Sequence, residues 1–159
     1  LNANNVDTKG QYMAEDFRSY FMDKSGKGKT RSEALNSFLN WDGPLHPDVK
    51  ILHYRIKGDS CIVYFNEQND FSKPIGYPGW KGSMVFRFNS MKQIRESIYI
   101  PDSTNSSFKP YLQPALDWMA KNKPNELSRI YQNNRLVQNG ETAVLWRELL
   151  KEWKLQNNK

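Results

Sequence analysis

Met84-Val85-Phe86-Arg87-Phe88 and Ile94-Arg95-Glu96-Ser97-Ile98-Tyr99-Ile100, closed by Pro101-Asp102, are two strand-like runs on either side of a short polar turn. Branched and aromatic residues dominate both, and the pattern predicts a hairpin over 83–89 and 92–100. Its turn, Asn89-Ser90-Met91, carries no sharp turn signature. On strict alternation Glu96 shares a face with Ile94 and Ile98, while Arg95, Ser97 and Tyr99 take the other. A carboxylate on an apolar sheet face is costly unless it is paired or used, so Glu96 is the first candidate for chemistry. The competing expectation is a bulge or edge position that turns Glu96 to water, or to Arg87 or Arg55.

Upstream, Gly76-Tyr77-Pro78-Gly79-Trp80-Lys81-Gly82 gathers turn-formers around aromatics, and Tyr77 and Trp80 there either lid a pocket or plug a core. Before it, Lys50–Lys57 and Ser60–Glu67 flank Gly58-Asp59, the strongest hairpin cue in the chain. Earlier still, Met13, Phe17, Tyr20 and Phe21 fall at helical spacing and predict an opening helix. Thr30-Arg31-Ser32-Glu33 predicts a capping box on a second helix with a buried stripe of Leu35, Phe38 and Leu39. After Pro101 the pattern turns helical. Pro114 suits a first helical turn, Pro124 opens a short piece, and 141–155 carries Leu145, Trp146, Leu149, Leu150 and Trp153 on one stripe. Helices, at least four antiparallel strands and then helices make an α+β domain.

The 159 residues suffice for one domain, 1–159, with a substantial core. No apolar run reaches the roughly 18–20 residues of a membrane span. The charge of +6 comes from 23 Lys and Arg against 17 Asp and Glu. Its basic residues sit in one Gly/Ser-rich loop (Lys24, Lys27, Lys29, Arg31) or alternate with acids on the last helix (Arg147, Lys151, Lys154), a solvated pattern that argues against a nucleic-acid partner. Cys61 is the sole cysteine, so no internal disulfide forms, and its apolar run favours an inert buried thiol.

Two histidines and a carboxylate, His46, Asp48 and His53, have a spacing that would suit a metal only with further ligands, and none is in sight; neither a metal nor a cofactor is expected. His53 beside Tyr54 is the second acid–base candidate, against a structural hydrogen-bonded role. Asn66, Glu67, Asn69 and Asp70 line either a cavity mouth or a turn. Gly28-Lys29-Thr30 imitates the end of a phosphate-binding loop, but Asp23 stands where its first glycine belongs.

Several of these stretches resemble the nuclear transport factor 2-like superfamily over roughly residues 6–102. They are Gly58-Asp59-Ser60-Cys61-Ile62-Val63, then Val85, Arg87 and Phe88 with Lys92-Gln93-Ile94-Arg95-Glu96, and Tyr99-Ile100-Pro101-Asp102. Trp41-Asp42-Gly43-Pro44-Leu45-His46-Pro47-Asp48, Asn69-Asp70-Phe71 and Gly79-Trp80 resemble an uncharacterised bacterial branch of Bacteroidetes type. The resemblance implies a cone: a strongly curved antiparallel sheet wrapped by N-terminal helices, enclosing an apolar cavity. Residues 103–159 are a helical extension beyond that core. It implies a small apolar or amphipathic ligand, anchored by Glu96, with Tyr54, Tyr64, Trp80, Phe86 and Ile98 shaping the cavity. Alternatives are an isomerase, cyclase or dehydratase using Glu96 or His53 as proton shuttle, and an interaction module that dimerises through its sheet or through Trp146 and Trp153. The non-Met start and the branch resemblance favour an exported protein over a trimmed cytoplasmic one.

Overall fold

A computed structural model describes residues 6–157; the polar opening Leu1–Asn5, on which the expectation of a processed start draws, lies outside the described residues. In order it holds α1 (Val6–Gln11), β1 (Met13–Phe21), β2 (Lys29–Thr30), α2 (Arg31–Ser37), a π-turn over Phe38–Asp42 and a 3-10 turn over Gly43–Leu45. Next come β3 (Asp48–Lys57), β4 (Ser60–Gln68), β5 (Trp80–Phe88) and β6 (Ile94–Pro101). The chain continues through α3 (Lys109–Asn122), α4 (Pro124–Ile130), the short hairpin β7 (Tyr131–Gln132) and β8 (Arg135–Leu136), and α5 (Gly140–Asn157). Backbone contacts divide it into two compact units. The first takes the chain up to Phe38 with Asp48–Glu67 and Trp80–Asn105; the second takes Leu39–Pro47, Gln68–Gly79 and Ser106 onward.

The first unit is a six-stranded sheet in the order β2-β1-β6-β5-β4-β3. Both long hairpins form as the alternation predicts. Gly58 bends the first at φ 60°, where a side chain would be strained. Asn89 closes the second: its Oδ1 accepts from the Met91 and Gln93 amides at 3.0 and 2.9 Å, the short-range side-chain bonding that suits Asn to turns.

Two expectations give way here. Residues 13–21 are a strand, not a helix, because β1 lies parallel to β6, with Arg18 opposite Glu96 and Phe21 opposite Tyr99. Pairing with a distant strand outweighs a local helical pattern whose aromatics suit a sheet as well. For the same reason the sheet is mixed rather than antiparallel. In α2 the capping box forms, with the Thr30 amide donating to Glu33 Oε2 at 2.7 Å and the Glu33 amide to Thr30 Oγ1 at 3.3 Å. Its stripe, however, is not buried: no residue of α2 is, and Leu39 just beyond it is exposed.

The second unit is helical and densely packed. Trp146 of α5 is wholly buried, its ring meeting Phe71 edge-on at 5.3 Å and Tyr131 at 6.4 Å. Leu45, Leu112, Met119, Ile130 and Leu150 complete this core. Trp146 therefore offers no exposed docking patch, contrary to the expectation, and Trp153 is only half-exposed. Pro114 lies inside α3 rather than in its first turn, which belongs to Pro110. The β7–β8 hairpin is not among the strands the sequence pattern predicts; Asn133 and Asn134, at φ 51° and 58°, give it the left-handed two-residue turn that asparagine tolerates best after glycine.

Candidate functional site

Strand register lays one face of the sheet out in rows. Arg18, Glu96, Arg87 and Ser60 form a polar row across β1, β6, β5 and β4. Beside it runs an apolar row of Tyr20, Ile98, Val85 and Ile62, and then Ile100, Ser83 and Tyr64. The Tyr64 ring stacks on His53 at 4.0 Å, and its hydroxyl accepts from Arg55 Nη2 at 2.6 Å. His53 and Arg55 of β3 therefore project on this face, and alternation sends Tyr54, between them, to the other.

The residues expected to shape one cavity are accordingly divided. Glu96, His53, Tyr64 and Ile98 share a face; Trp80, opposite Glu67, and Phe86, opposite Ser97, lie with Tyr54 on the reverse. That reverse face is the more aromatic. Tyr99 sits between Phe21 at 5.6 Å and Phe65 at 5.9 Å and leans over Gly82. No side chain fits at position 82, because a Cβ there would meet the Tyr99 ring and the Ile100 carbonyl. A β-bulge refines the neighbourhood of Glu96. Arg87 pairs with Glu96 but Phe88 with Ile94, so Arg95 is the extra residue and Ile94 turns to the face opposite Glu96. Strict alternation fails at that point.

Glu96 is mostly buried and held by two cations. Lys24, from the loop after β1, pairs with Oε2, and Arg87 Nε lies 3.4 Å from Oε1. That second contact is an ion pair rather than a hydrogen bond, and Oε1 accepts no hydrogen bond although it is buried. Lys24 reads in the sequence as solvated loop charge; its role here depends on the chain doubling back, which no spacing rule reveals. Glu96 and His53 stand three strands apart, roughly 14 Å across the sheet at about 4.8 Å per strand, and are offset along it as well, too far to act on one bond together.

Among the described residues no group of three or more His, Cys, Asp or Glu is placed to hold a metal ion. His46 instead joins a cluster in the second unit. Its Nδ1 donates to Asp70 Oδ2 at 2.7 Å, and its Nε2 accepts from Arg147 Nη1 at 3.3 Å, the tautomer following from the fact that a guanidinium only donates. Arg147 also donates to the Pro44 carbonyl at 3.0 Å, so it is not the purely solvated helix charge its pattern suggests. Asn69 serves the turn, its Oδ1 accepting from the Phe71 and Ser72 amides. Tyr77 is a core residue and no lid. Burial pushes its phenol up, although the hydroxyl donates to the Ser106 carbonyl at 2.9 Å.

No protein-family model matches the chain, and no curated protein matches it. Solved structures do. A Delta 5-3-ketosteroid isomerase from Mycobacterium sp. aligns with 67% of this chain and 87% of its own, at 11% identity and a TM-score of 0.53. The chain has the nuclear transport factor 2-like fold. An uncharacterised protein conserved in bacteria with a cystatin-like fold, from Silicibacter pomeroyi DSS-3, aligns with 76% of this chain and 82% of its own, at 10% identity and a TM-score of 0.50. At such identities the likeness is one of backbone, and a nuclear transport factor 2-like fold hosts many chemistries. No helix among the described residues is long and apolar enough to cross a membrane.

Proposed function

We propose that the sheet unit holds a small amphipathic molecule carrying a hydrogen-bond donor. Its apolar body lies along Tyr20, Ile98, Val85 and Ile62, and its polar head reaches Glu96. One observation carries this reading: a polar row whose central carboxylate has an oxygen without a hydrogen bond adjoins an apolar row on the same face. An ionised carboxylate only accepts, so the head must donate, which selects amines and alcohols over acids. Oε1 is buried, and the incoming head reaches the carboxylate by displacing Lys24. That exchange costs little, because a partly exposed ion pair is worth about 0–1 kcal/mol. Small-molecule binding is common among members of the fold, which lends general support. The enzymatic alternative is weaker on this geometry, since a proton shuttle at Glu96 would have to work clear of both Lys24 and Arg87.

The test is a thermal-shift panel of aliphatic and alicyclic amines, alcohols and acids on wild type, Glu96→Gln and Lys24→Ala. A ligand at about 100 times its dissociation constant adds roughly 2.7 kcal/mol. Donor-headed molecules should stabilise wild type, lose most of that effect in Glu96→Gln, and bind about two- to fivefold tighter in Lys24→Ala. Acids binding as well as amines, or hits indifferent to Glu96→Gln, would sink the proposal.

A further inference from the structure

Positive charge outweighs negative along the polar row. Arg18, Glu96 and Arg87 stand side by side on β1, β6 and β5. Lys24 reaches in from the loop after β1, its ammonium 5.9 Å from the centre of the Tyr20 ring. Three cations thus face one carboxylate. Acids at neighbouring positions are engaged elsewhere: Asp16 pairs with Arg95, Glu33 accepts from the Thr30 amide and hydroxyl, and Asp59 accepts from the Ser60 hydroxyl. Arg18 donates to the Phe17 carbonyl at 2.9 Å and forms no ion pair among the described residues. Arg87 approaches Glu96 through Nε at 3.4 Å, and its guanidinium makes no hydrogen bond among the described residues.

We infer, resting on the proposal that Glu96 anchors the donor head, that the ligand is a zwitterion: an α-amino acid with an apolar side chain. Once an ammonium replaces Lys24 at Glu96, that carboxylate is compensated, and Lys24, Arg18 and Arg87 are left facing the site without an anion. A simple amine therefore enters a site of surplus positive charge, and a carboxylate on the same molecule relieves it. Guanidinium groups suit that role, because their forked N–H donors match the two oxygens of a carboxylate.

Strand spacing sets how far apart the ligand's charges lie. Arg18 and Arg87 each stand one strand, about 4.8 Å, from Glu96. The ammonium and carboxylate must then be close neighbours, as they are on a single α-carbon and not at the two ends of a chain. The apolar row of Tyr20, Ile98 and Val85 lies two residues further along, about 6.6–6.8 Å away. A leucine- to phenylalanine-sized side chain reaches it.

NMR titration of the full chain with leucine, leucinamide and N-acetylleucine, read at the Val85 and Ile98 amides, tests this. At about pH 6 leucine and leucinamide both carry a charged α-amino group, and only leucine adds a carboxylate. Leucine should bind about fivefold tighter than leucinamide, the upper value for one exposed ion pair, and N-acetylleucine more weakly than either. Glu96→Gln should weaken leucine and leucinamide together. Arg87→Gln and Arg18→Gln should each shrink the ratio between them, with circular dichroism checking that the fold is intact. Leucinamide binding as tightly as leucine while depending on Glu96, or a ratio that survives the Arg18→Gln, Arg87→Gln double variant, would overturn the zwitterion and leave the donor-headed ligand standing. No shift with any probe, binding indifferent to Glu96→Gln, or N-acetylleucine as tight as leucine would defeat the role of Glu96 itself, and the zwitterion with it.

Discussion

Ile130 and Ile56 carry the same side chain into opposite circumstances: Ile130, at the end of α4, is 0% exposed, and Ile56, on β3, is 71% exposed. The contrast runs through the two units. The helical unit keeps most of its aromatic and aliphatic residues inside, around Trp146, with Leu39 and Leu155 among the exceptions, whereas the sheet unit leaves Phe21, Tyr54 and Ile56 to solvent. On the proposed reading, stability and recognition are drawn from different parts of the chain. A packed core has spent its apolar surface on folding, and an uncovered sheet has kept surface available for a ligand or a partner.

The comparison breaks first if the helical core proves dispensable. Trp146→Ala should cost about 3–5 kcal/mol in urea unfolding, the usual range for losing a buried tryptophan. Ile98 is the test of the middle ground, buried at 9% exposure on the sheet's apolar row; Ile98→Ala should cost about 2 kcal/mol, at the low end for buried isoleucine. If it costs as much as Trp146→Ala, the sheet is no less committed to folding than the helices. Thr30→Ala removes the hydroxyl that accepts from the Glu33 amide, leaving the Thr30 amide's bond to Glu33 in place, and should cost about 1 kcal/mol, measurable as a fall in the denaturation midpoint.

Acid should act next, and mainly on the sheet unit. Bonds from the Thr30 amide and hydroxyl lower the Glu33 carboxyl, and the Thr104 hydroxyl and amide lower that of Asp102. A lowered value in the folded state means stability present in full above the ordinary carboxylate range and lost as pH falls through the lowered values. Both groups are fully exposed, so the effect should be small. Thermal midpoints of wild type and Glu33→Gln should differ at neutral pH and converge on acidification; a constant gap would mean Glu33 acts through something other than its charge. Smallest of all, Ile56→Ala should change the unfolding free energy by within about 0.5 kcal/mol, as exposed substitutions do.

Where a residue's partner lies close in sequence, its role was legible. Gly58-Asp59 announces one hairpin, Thr30 and Glu33 announce the capping box, and Pro124 opens α4. Where the partner is distant, the signal misled. Met13, Phe17, Tyr20 and Phe21 satisfy a helical period equally well, and only β6 decides that they form a strand. Glu96 stood out by its position on an apolar face, but Lys24 did not, because nothing local ties residue 24 to residue 96. The bulge at Arg95 was equally silent: it is a property of two strands in register, and alternation within one strand cannot report it. The same limit separates Tyr54 from Tyr64, which look alike as pocket residues until their strands are paired.

The parallel pairing of β1 with β6 also sets a timetable for the chain as it is made. The Ser97 hydroxyl donates to the Ser19 hydroxyl across 78 residues, so β1 leaves the ribosome long before its partner exists. At roughly 5–20 residues per second that interval is about 4–16 s. Throughout it β1 has only the two-residue β2 beside it and Phe21 lacks Tyr99, while hairpin β3–β4 can close around its short turn first. β1 is therefore among the last strands of this sheet to be seated, and it is the stretch of the sheet that a chaperone would meet.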